Sequence, residues 1–244
     1  MKNITPLFLS ILFLVSCQPD GNEDQQNQQT MQAAMNTLTA AEQEAGWKLL
    51  FDGKTTAGWH SYLKDGVSGW TVSDGILSTS GGNGDLVSDD TYDNFELAIE
   101  WSVAPKGNSG IFFGVTEDTA YHSTYETGPE FQIIDDVNYP DPLDETQKSG
   151  ANYALHAPSV LAAKPAGEYN TTTIIVNNNH VEHWLNGQKV VEYERWTPEW
   201  EAMVANTKFA SMPGYGKDPK GHLALQDHGD AASFRNIKIK ILNP

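Results

Sequence analysis

Phe95-Glu-Leu-Ala-Ile-Glu-Trp101 alternates without a break: Phe95, Leu97, Ile99 and Trp101 fall on one face, Glu96, Ala98 and Glu100 on the other. That period of two is the signature of a strand with one buried and one wet face. Ile111-Phe-Phe-Gly-Val115, Glu130-Phe-Gln-Ile-Ile134 and Thr172-Thr-Ile-Ile-Val176 are similar short units, separated by Gly, Asn, Asp and Pro. Val181 to Leu185 and Val190 to Glu194 flank Asn186-Gly187, a dipeptide suited to a tight two-residue hairpin turn. Leu223 to Gln226 and Ser233 to Ile241 close the series. About a dozen such strands, with no long helical period, predict an all-β fold: a two-sheet antiparallel jelly-roll sandwich.

The chain has 244 residues, enough for one domain of this kind and its leader. Its 15 Lys and Arg face 32 Asp and Glu, a formal charge of −17, which excludes a nucleic-acid partner because binding phosphates takes clustered cations. The single Cys excludes an internal disulfide and a Cys-rich zinc site. Lys2 precedes an apolar run from Leu7 to Val15, too short to span a bilayer and sized for a signal-peptide core. The run ends in Leu14-Val15-Ser16-Cys17, which resembles the lipobox of bacterial lipoproteins, whose Cys is acylated and becomes the new N-terminus. Residues 1–16 are therefore expected to be a signal peptide, and Cys17 a lipid anchor holding the protein to a membrane of the bacterial cell envelope. Residues 17–45, rich in Gln and Asn, read as a flexible tether, and residues 46–244 as the jelly-roll domain.

Leu50-Phe-Asp-Gly-Lys-Thr-Thr-Ala-Gly-Trp59 resembles the opening motif of the 3-keto-disaccharide hydrolase family, also described as 3-keto-glucoside 1,2-lyase/3-keto-2-hydroxy-glucal hydratase domains. The resemblance runs in order through Trp70 to Leu77, Gly107-Asn-Ser-Gly-Ile-Phe-Phe113, Glu130 to Asp135, Gly167-Glu-Tyr-Asn170, His183 to Gly187, Leu225-Gln-Asp-His-Gly229 and Phe234 to Ile237. One departure is Tyr169, where the family often has Trp. The resemblance implies a concanavalin-A-like jelly roll that cleaves 3-keto disaccharides or glycosides.

Glu130-Phe-Gln-Ile-Ile-Asp135 is the central candidate for chemistry. On a regular strand Glu130 and Gln132 share a face and Asp135 points away; a bulge near Ile133–Ile134 would bring Asp135 round to join them. Jelly-roll glucanases of the laminarinase type use a similar bulged E-x-D-x-x-E, and a retaining mechanism needs two carboxyls about 5–5.5 Å apart. Here the middle position is Gln132 and the last is the shorter Asp135. His183 lies on a strand face with Val181 and Leu185, where it is either a core residue or a base. Gln226 and His228 share a face by alternation, with Asp227 pointing opposite, and a polar pair of this kind is costly to bury without partners. Arg235 is either a fork for sugar oxygens or the partner of an acid such as Glu100 or Glu130. Asn108 either offers its amide to a ligand or takes a left-handed turn, and Trp59 is core or cleft wall. No nucleotide-binding loop or nucleophile elbow occurs. Nothing in the sequence requires a cofactor. A divalent metal stays open, calcium being one candidate for the acidic loop Asp135, Asp136, Asp141, Asp144 and Glu145, whose spacing matches no EF-hand.

The keto sugar that the resemblance implies gives these residues a common task. A ketone at C3 acidifies the hydrogen on C2, so a base can form an enolate and expel the glycosidic oxygen from C1. Water then adds across the glucal, and the two steps sum to hydrolysis. Such a route takes a base, an acid for the leaving group and a donor for the enolate oxygen. His228, His183 or a desolvated Glu130 suits the base; Gln132, Gln226, Arg235 or a metal suits the oxyanion. Two other readings remain, a non-catalytic carbohydrate-binding module and a conventional jelly-roll glycoside hydrolase using Glu130 and Asp135.

Overall fold

The structure, a computed structural model, describes Met1 and residues 35–243. Cys17, most of the expected tether and all but Met1 of the expected signal peptide lie outside the described residues. Among the described residues, alternating apolar positions give thirteen strands, all paired antiparallel, in two sheets. The larger sheet holds β1 (Trp47–Leu49), β3 (Trp70–Ser73), β4 (Ile76–Thr79), β6 (Phe95–Val103), β9 (Asn170–Asn177), β10 (His180–Leu185), β11 (Gln188–Glu194) and β13 (Ala232–Ile241). Its order is β11-β10-β9-β6-β13-β4-β3, with β1 also on β13. The smaller sheet holds β2 (Trp59–Ser61), β5 (Leu86–Tyr92), β7 (Asn108–Val115), β8 (Glu130–Ile134) and β12 (Gly221–Leu225), in the order β2-β5-β12-β7-β8. The expected two-sheet sandwich is the observed fold.

In β6 every odd residue from Phe95 to Val103 is buried and every even one half-buried, as the alternation predicts. The β10–β11 hairpin turns at Asn186 and Gly187, with φ of 50° and 80°, the left-handed pair that suits a two-residue connection. Leu97, Ile99, Trp101, Ile174 and Phe234 of the larger sheet pack in one core with Ile111, Phe113, Phe131, Ile133 and Leu225 of the smaller. Two helices occur among the described residues. One is α1 (Ala40–Glu44), with a Thr39–Glu42 capping box; the other is α2 (Pro198–Ala205), capped by Thr197 with Pro198 in its first turn.

The tether expected over 17–45 is corrected at its C-terminal end. Asn36 is buried and exchanges hydrogen bonds with Asn236, its backbone N–H donating to Asn236 Oδ1 at 2.6 Å and its Oδ1 accepting from the Asn236 N–H at 2.8 Å. Glu42 pairs with Lys238. Residues 35–45 are thus bound to the outer face of the larger sheet.

The smaller sheet has a second, outer face. His60, Val87, Ala224, Phe112 and Glu130 stand opposite one another across successive strands and form one row of it. Gly110 and Gln132 are paired in the next row, and the Gln226 N–H donates to the Gly110 carbonyl at 2.9 Å. Every residue of β7 and β8 is buried, because loops cover this face as the other sheet covers the inner one.

Candidate active site

Two adjoining lobes open on the outer face of the smaller sheet. The inner one, about 270 Å³, is lined by Asn108, Glu130 and Gln132 from the strands, by Gln226 just beyond β12, and by Tyr125, Tyr153 and Lys208 from the loops. The outer lobe, about 420 Å³, is bounded by Tyr62, Lys64, Asp85, His122 and Asp227. Gln226, His228 and Tyr125 line both, so the lobes form one cleft divided by those side chains.

Glu130 sits at the floor of the inner lobe, 6% exposed. Its carboxyl lies over Gly110: a Cβ at that glycine would meet Glu130 Oε1 at 2.4 Å. Burial pushes its pKa up to about 8, with Lys208 pulling down and Asp85 adding to the rise. The β8 backbone that carries it is held on both sides: β7 pairs along its length, and the Tyr153 N–H donates to the Glu130 carbonyl at 3.1 Å. Gln132 Oε1 accepts from the Ile133 N–H at 3.1 Å. The Asn108 Oδ1 and Gln226 Oε1 atoms are buried without a hydrogen-bond partner, two acceptors facing the lobe that sugar hydroxyls can satisfy.

Asp227, which the alternation placed opposite Gln226 and His228, holds the segment that carries them. Its carboxylate accepts from Thr79 Oγ1 at 2.6 Å and from the N–H groups of Gly82, Asn83 and Gly229 at 2.7, 2.8 and 3.0 Å. Burial works against its ionisation, but these donors prevail and keep its pKa below the ordinary aspartate value. The Asp227 N–H in turn donates to Asp85 Oδ1 at 2.9 Å, and Asp85 also accepts from the Thr124 hydroxyl. Burial raises the Asp85 pKa against those donors and the His228 ring. Across the cleft, His60 bridges Asp89 and Glu117 at 2.7 and 2.8 Å, and Glu117 Oε1 accepts from the Leu63 N–H, fixing the loop that bears Tyr62 and Lys64.

The structure brings Glu130, Gln132, Gln226, His228 and Asn108 together and leaves four expected site residues elsewhere. Asp135 does not join Glu130. The β7–β8 register is continuous through Ile133 and Ile134, so no bulge turns it. Its carboxylate is taken by the N–H groups of Lys106 at 2.8 Å, Asn138 at 3.0 Å and Val137 at 3.1 Å. Burial opposes ionisation there, but these donors outweigh it and lower the pKa. His183 is a core residue: fully buried, with Nδ1 donating to the Gly150 carbonyl at 3.0 Å and rings of Phe113, Phe131 and Tyr193 around it. Burial lowers its pKa to about 4, so it is neutral. Arg235 is on the larger sheet, its Nε donating to Glu100 at 2.7 Å and its guanidinium 3.8 Å from the Tyr169 ring centre. Trp59 is 5% exposed within the core and donates to the Leu50 carbonyl at 2.7 Å. For Asn108 the left-handed conformation falls on Lys106, with φ of 65°, and Asn108 itself begins β7.

Sequence reading missed Lys208, Tyr125, Tyr153 and Asp85 and gave Asp227 no role; all five lie outside the strands, in turns and loops that carry no regular period. In the acidic loop, Asp144 caps a short 3-10 turn through the Thr146 N–H at 2.8 Å, and Asp136 accepts from the Ser149 N–H at 2.9 Å. Among the described residues, His180, Glu182 and Glu192 form the group whose ligand atoms are close enough to hold an ion. It lies on the β10–β11 hairpin of the larger sheet, where the Lys189 ammonium pairs with both glutamates, at 3.5 and 2.6 Å.

A two-sheet jelly roll with a carboxyl buried in a polar, aromatic-walled cleft is an architecture suited to carbohydrate-active proteins. Residues 46–240 match the 3-keto-alpha-glucoside-1,2-lyase-like domain, and the chain belongs to that family. The 3-keto-disaccharide hydrolase of Bacteroides thetaiotaomicron is 33% identical to it over 274 aligned residues, which cover 94% of each chain. Among solved structures, a candidate glycosyl hydrolase of Parabacteroides distasonis superposes with a TM-score of 0.83 at 38% identity, covering 86% of this chain and 100% of that one. A second from the same organism gives 0.63 at 29% identity, covering 80% and 99%.

Proposed function

We propose that this protein cleaves glycosides oxidised at C3, by elimination and rehydration, with Glu130 as the base. The observation that carries this reading is that, among the described residues, Glu130 is the one carboxyl lining the inner lobe, with a pKa near 8, while Asp135 is bound to backbone amides. A retaining glycosidase needs a second carboxyl beside the first. A base poised near neutrality on a single carboxyl suits removal of a proton from carbon. The name of the Bacteroides relative supports the keto substrate.

The steps balance on two groups. Glu130 takes the C2 proton, and the electron pair passes to the C3 oxygen as an enolate. When the carbonyl re-forms, the C1–O bond breaks and the leaving oxygen takes a proton from His228, giving the 1,2-unsaturated ketone. Water then adds to C1, returning a proton to His228, while Glu130 returns its own to C2. Asn108 and Gln226 hold sugar hydroxyls through their unpartnered amide oxygens. The test is turnover: the protein incubated with a 3-keto disaccharide and with its unoxidised parent releases sugar from the keto form alone. Equal release from the parent contradicts the reading, and binding without turnover of either favours a sugar-binding module.

The anchor belongs to the same proposal. Leu14-Val15-Ser16-Cys17 supports acylation at Cys17 and tethering to the cell envelope. One acyl chain binds a membrane only marginally, so two or more are needed for a stable hold. Metabolic labelling with a fatty-acid analogue marks the wild-type protein and not Cys17→Ser; equal labelling rejects it.

A further inference from the structure

Forming the enolate places a full negative charge on the C3 oxygen inside a largely buried lobe, where an unmatched charge is expensive. The amides that line the lobe offer partial charges only. Lys208 is the one lysine or arginine among the inner lobe's lining residues. Among the described residues its ammonium makes no hydrogen bond or ion pair. It is held by rings instead, with Nζ 4.3 Å from the centre of Tyr153, 5.3 Å from Phe209 and 5.7 Å from Tyr125. A cation held by ring faces is attracted without spending its N–H groups, so all three donors stay available to a ligand.

The backbone beneath it is fixed although the side chain reaches the surface. Lys208 opens a 3-10 turn, Lys208–Ser211, capped by Thr207, whose hydroxyl accepts from the Phe209 N–H at 3.3 Å and donates to the Val204 carbonyl at 2.9 Å. Phe209 is buried and stacked 3.8 Å from Tyr215. Upstream, α2 buries Trp200 and Val204. The turn therefore delivers the ammonium to the mouth of the lobe whose floor is Glu130.

We propose that Lys208 is the oxyanion donor of the reaction: its ammonium takes the C3 oxygen of the keto sugar and neutralises the enolate as Glu130 removes the C2 proton. This rests on the reading of the reaction given above. It also explains a preference for ketones, because the parent sugar has a hydroxyl at C3 and develops no charge there. Lys208 and Glu130 form a matched pair: Glu130 receives the proton, and Lys208 holds the C3 oxygen that takes the electron pair left by its loss.

The experiment compares wild type, Lys208→Met and Lys208→Arg on a 3-keto disaccharide, with melting temperatures as the control for folding. Removing one oxyanion donor typically costs about 10²–10³-fold in kcat, so Lys208→Met should lose that much while KM changes little. The rising limb of its pH profile should also move above pH 8, because Lys208 holds the Glu130 pKa down. Lys208→Arg, which keeps the charge, should recover part of the rate. Lys208→Met with wild-type kcat overturns the assignment, as does a loss confined to KM. Wild type run in parallel separates the two claims: if it prefers the unoxidised parent, the reaction reading fails and Lys208's role with it. If wild type needs the keto form and Lys208→Met matches it, Lys208's role alone fails.

Discussion

Gly110→Ala puts a methyl group where the carboxyl of Glu130 lies. The new Cβ would come 2.4 Å from Oε1 and 3.1 Å from Cδ and Cγ. Ordinary carbon–oxygen contacts begin near 3.4 Å, so the carboxyl must withdraw by about an ångström. The backbone keeps its pairing, since Gly110 does not use a positive φ and its strand partners bond through N–H and C=O groups. A displacement of this size at a reacting group is worth about 10²-fold in rate. Steady-state kinetics on a 3-keto disaccharide should therefore show kcat reduced by about that factor, with a melting temperature within a few degrees of wild type. Removing the carboxyl by Glu130→Gln should abolish turnover. If Gly110→Ala keeps wild-type kcat, the carboxyl is not the reacting group and the account of the base is wrong.

Four further outcomes follow from the same geometry. A base with a pKa near 8 gives a rate that rises as pH climbs towards 8, and a pH profile of kcat/KM should show this rising limb. Because its folded pKa is raised, Glu130 contributes most stability below pH 4.5 and loses it as pH climbs through 8; Glu130→Gln should flatten the melting temperature across that window. His183 has the opposite sign: held neutral with a pKa near 4, it makes the fold less stable as pH falls from 6.5 towards 4, and a urea midpoint series should record the loss. Asp227→Ala removes the acceptor of four hydrogen bonds that position Gln226 and His228. It should cost about 1–3 kcal/mol in denaturant titration and lower kcat, whereas an unchanged kcat would show that the segment needs no such clamp.

The strands were legible because period two and an Asn-Gly turn are local signals. Phe95 to Trp101 needs nothing beyond its own alternation to be placed. Glu130 and Gln132 share a face for the same reason, and so does the Gln226–His228 pair. No bulge forms at Ile133–Ile134, where the ladder to β7 stays in register. Asp135 has nearby amides to satisfy it without leaving the strand's register. His183 shows the ambiguity of a single polar residue on an apolar face: alternation gave the face but not whether it looks into the core. Lys208 and Tyr153 reach the cleft from loops more than twenty residues beyond Glu130. Gly110 carries meaning only once its cross-strand partners are known.

Removal of the C2 proton is the step on which the proposed reaction depends. The direct measurement is a primary kinetic isotope effect with a 3-keto disaccharide deuterated at C2 of the oxidised ring, together with its undeuterated twin. A clear reduction in kcat/KM for the deuterated sugar is the predicted result, and it should vanish with the activity in Glu130→Gln. Equal rates for both sugars, accompanied by equal turnover of the unoxidised parent, would contradict it and return the cleft to ordinary glycoside hydrolysis.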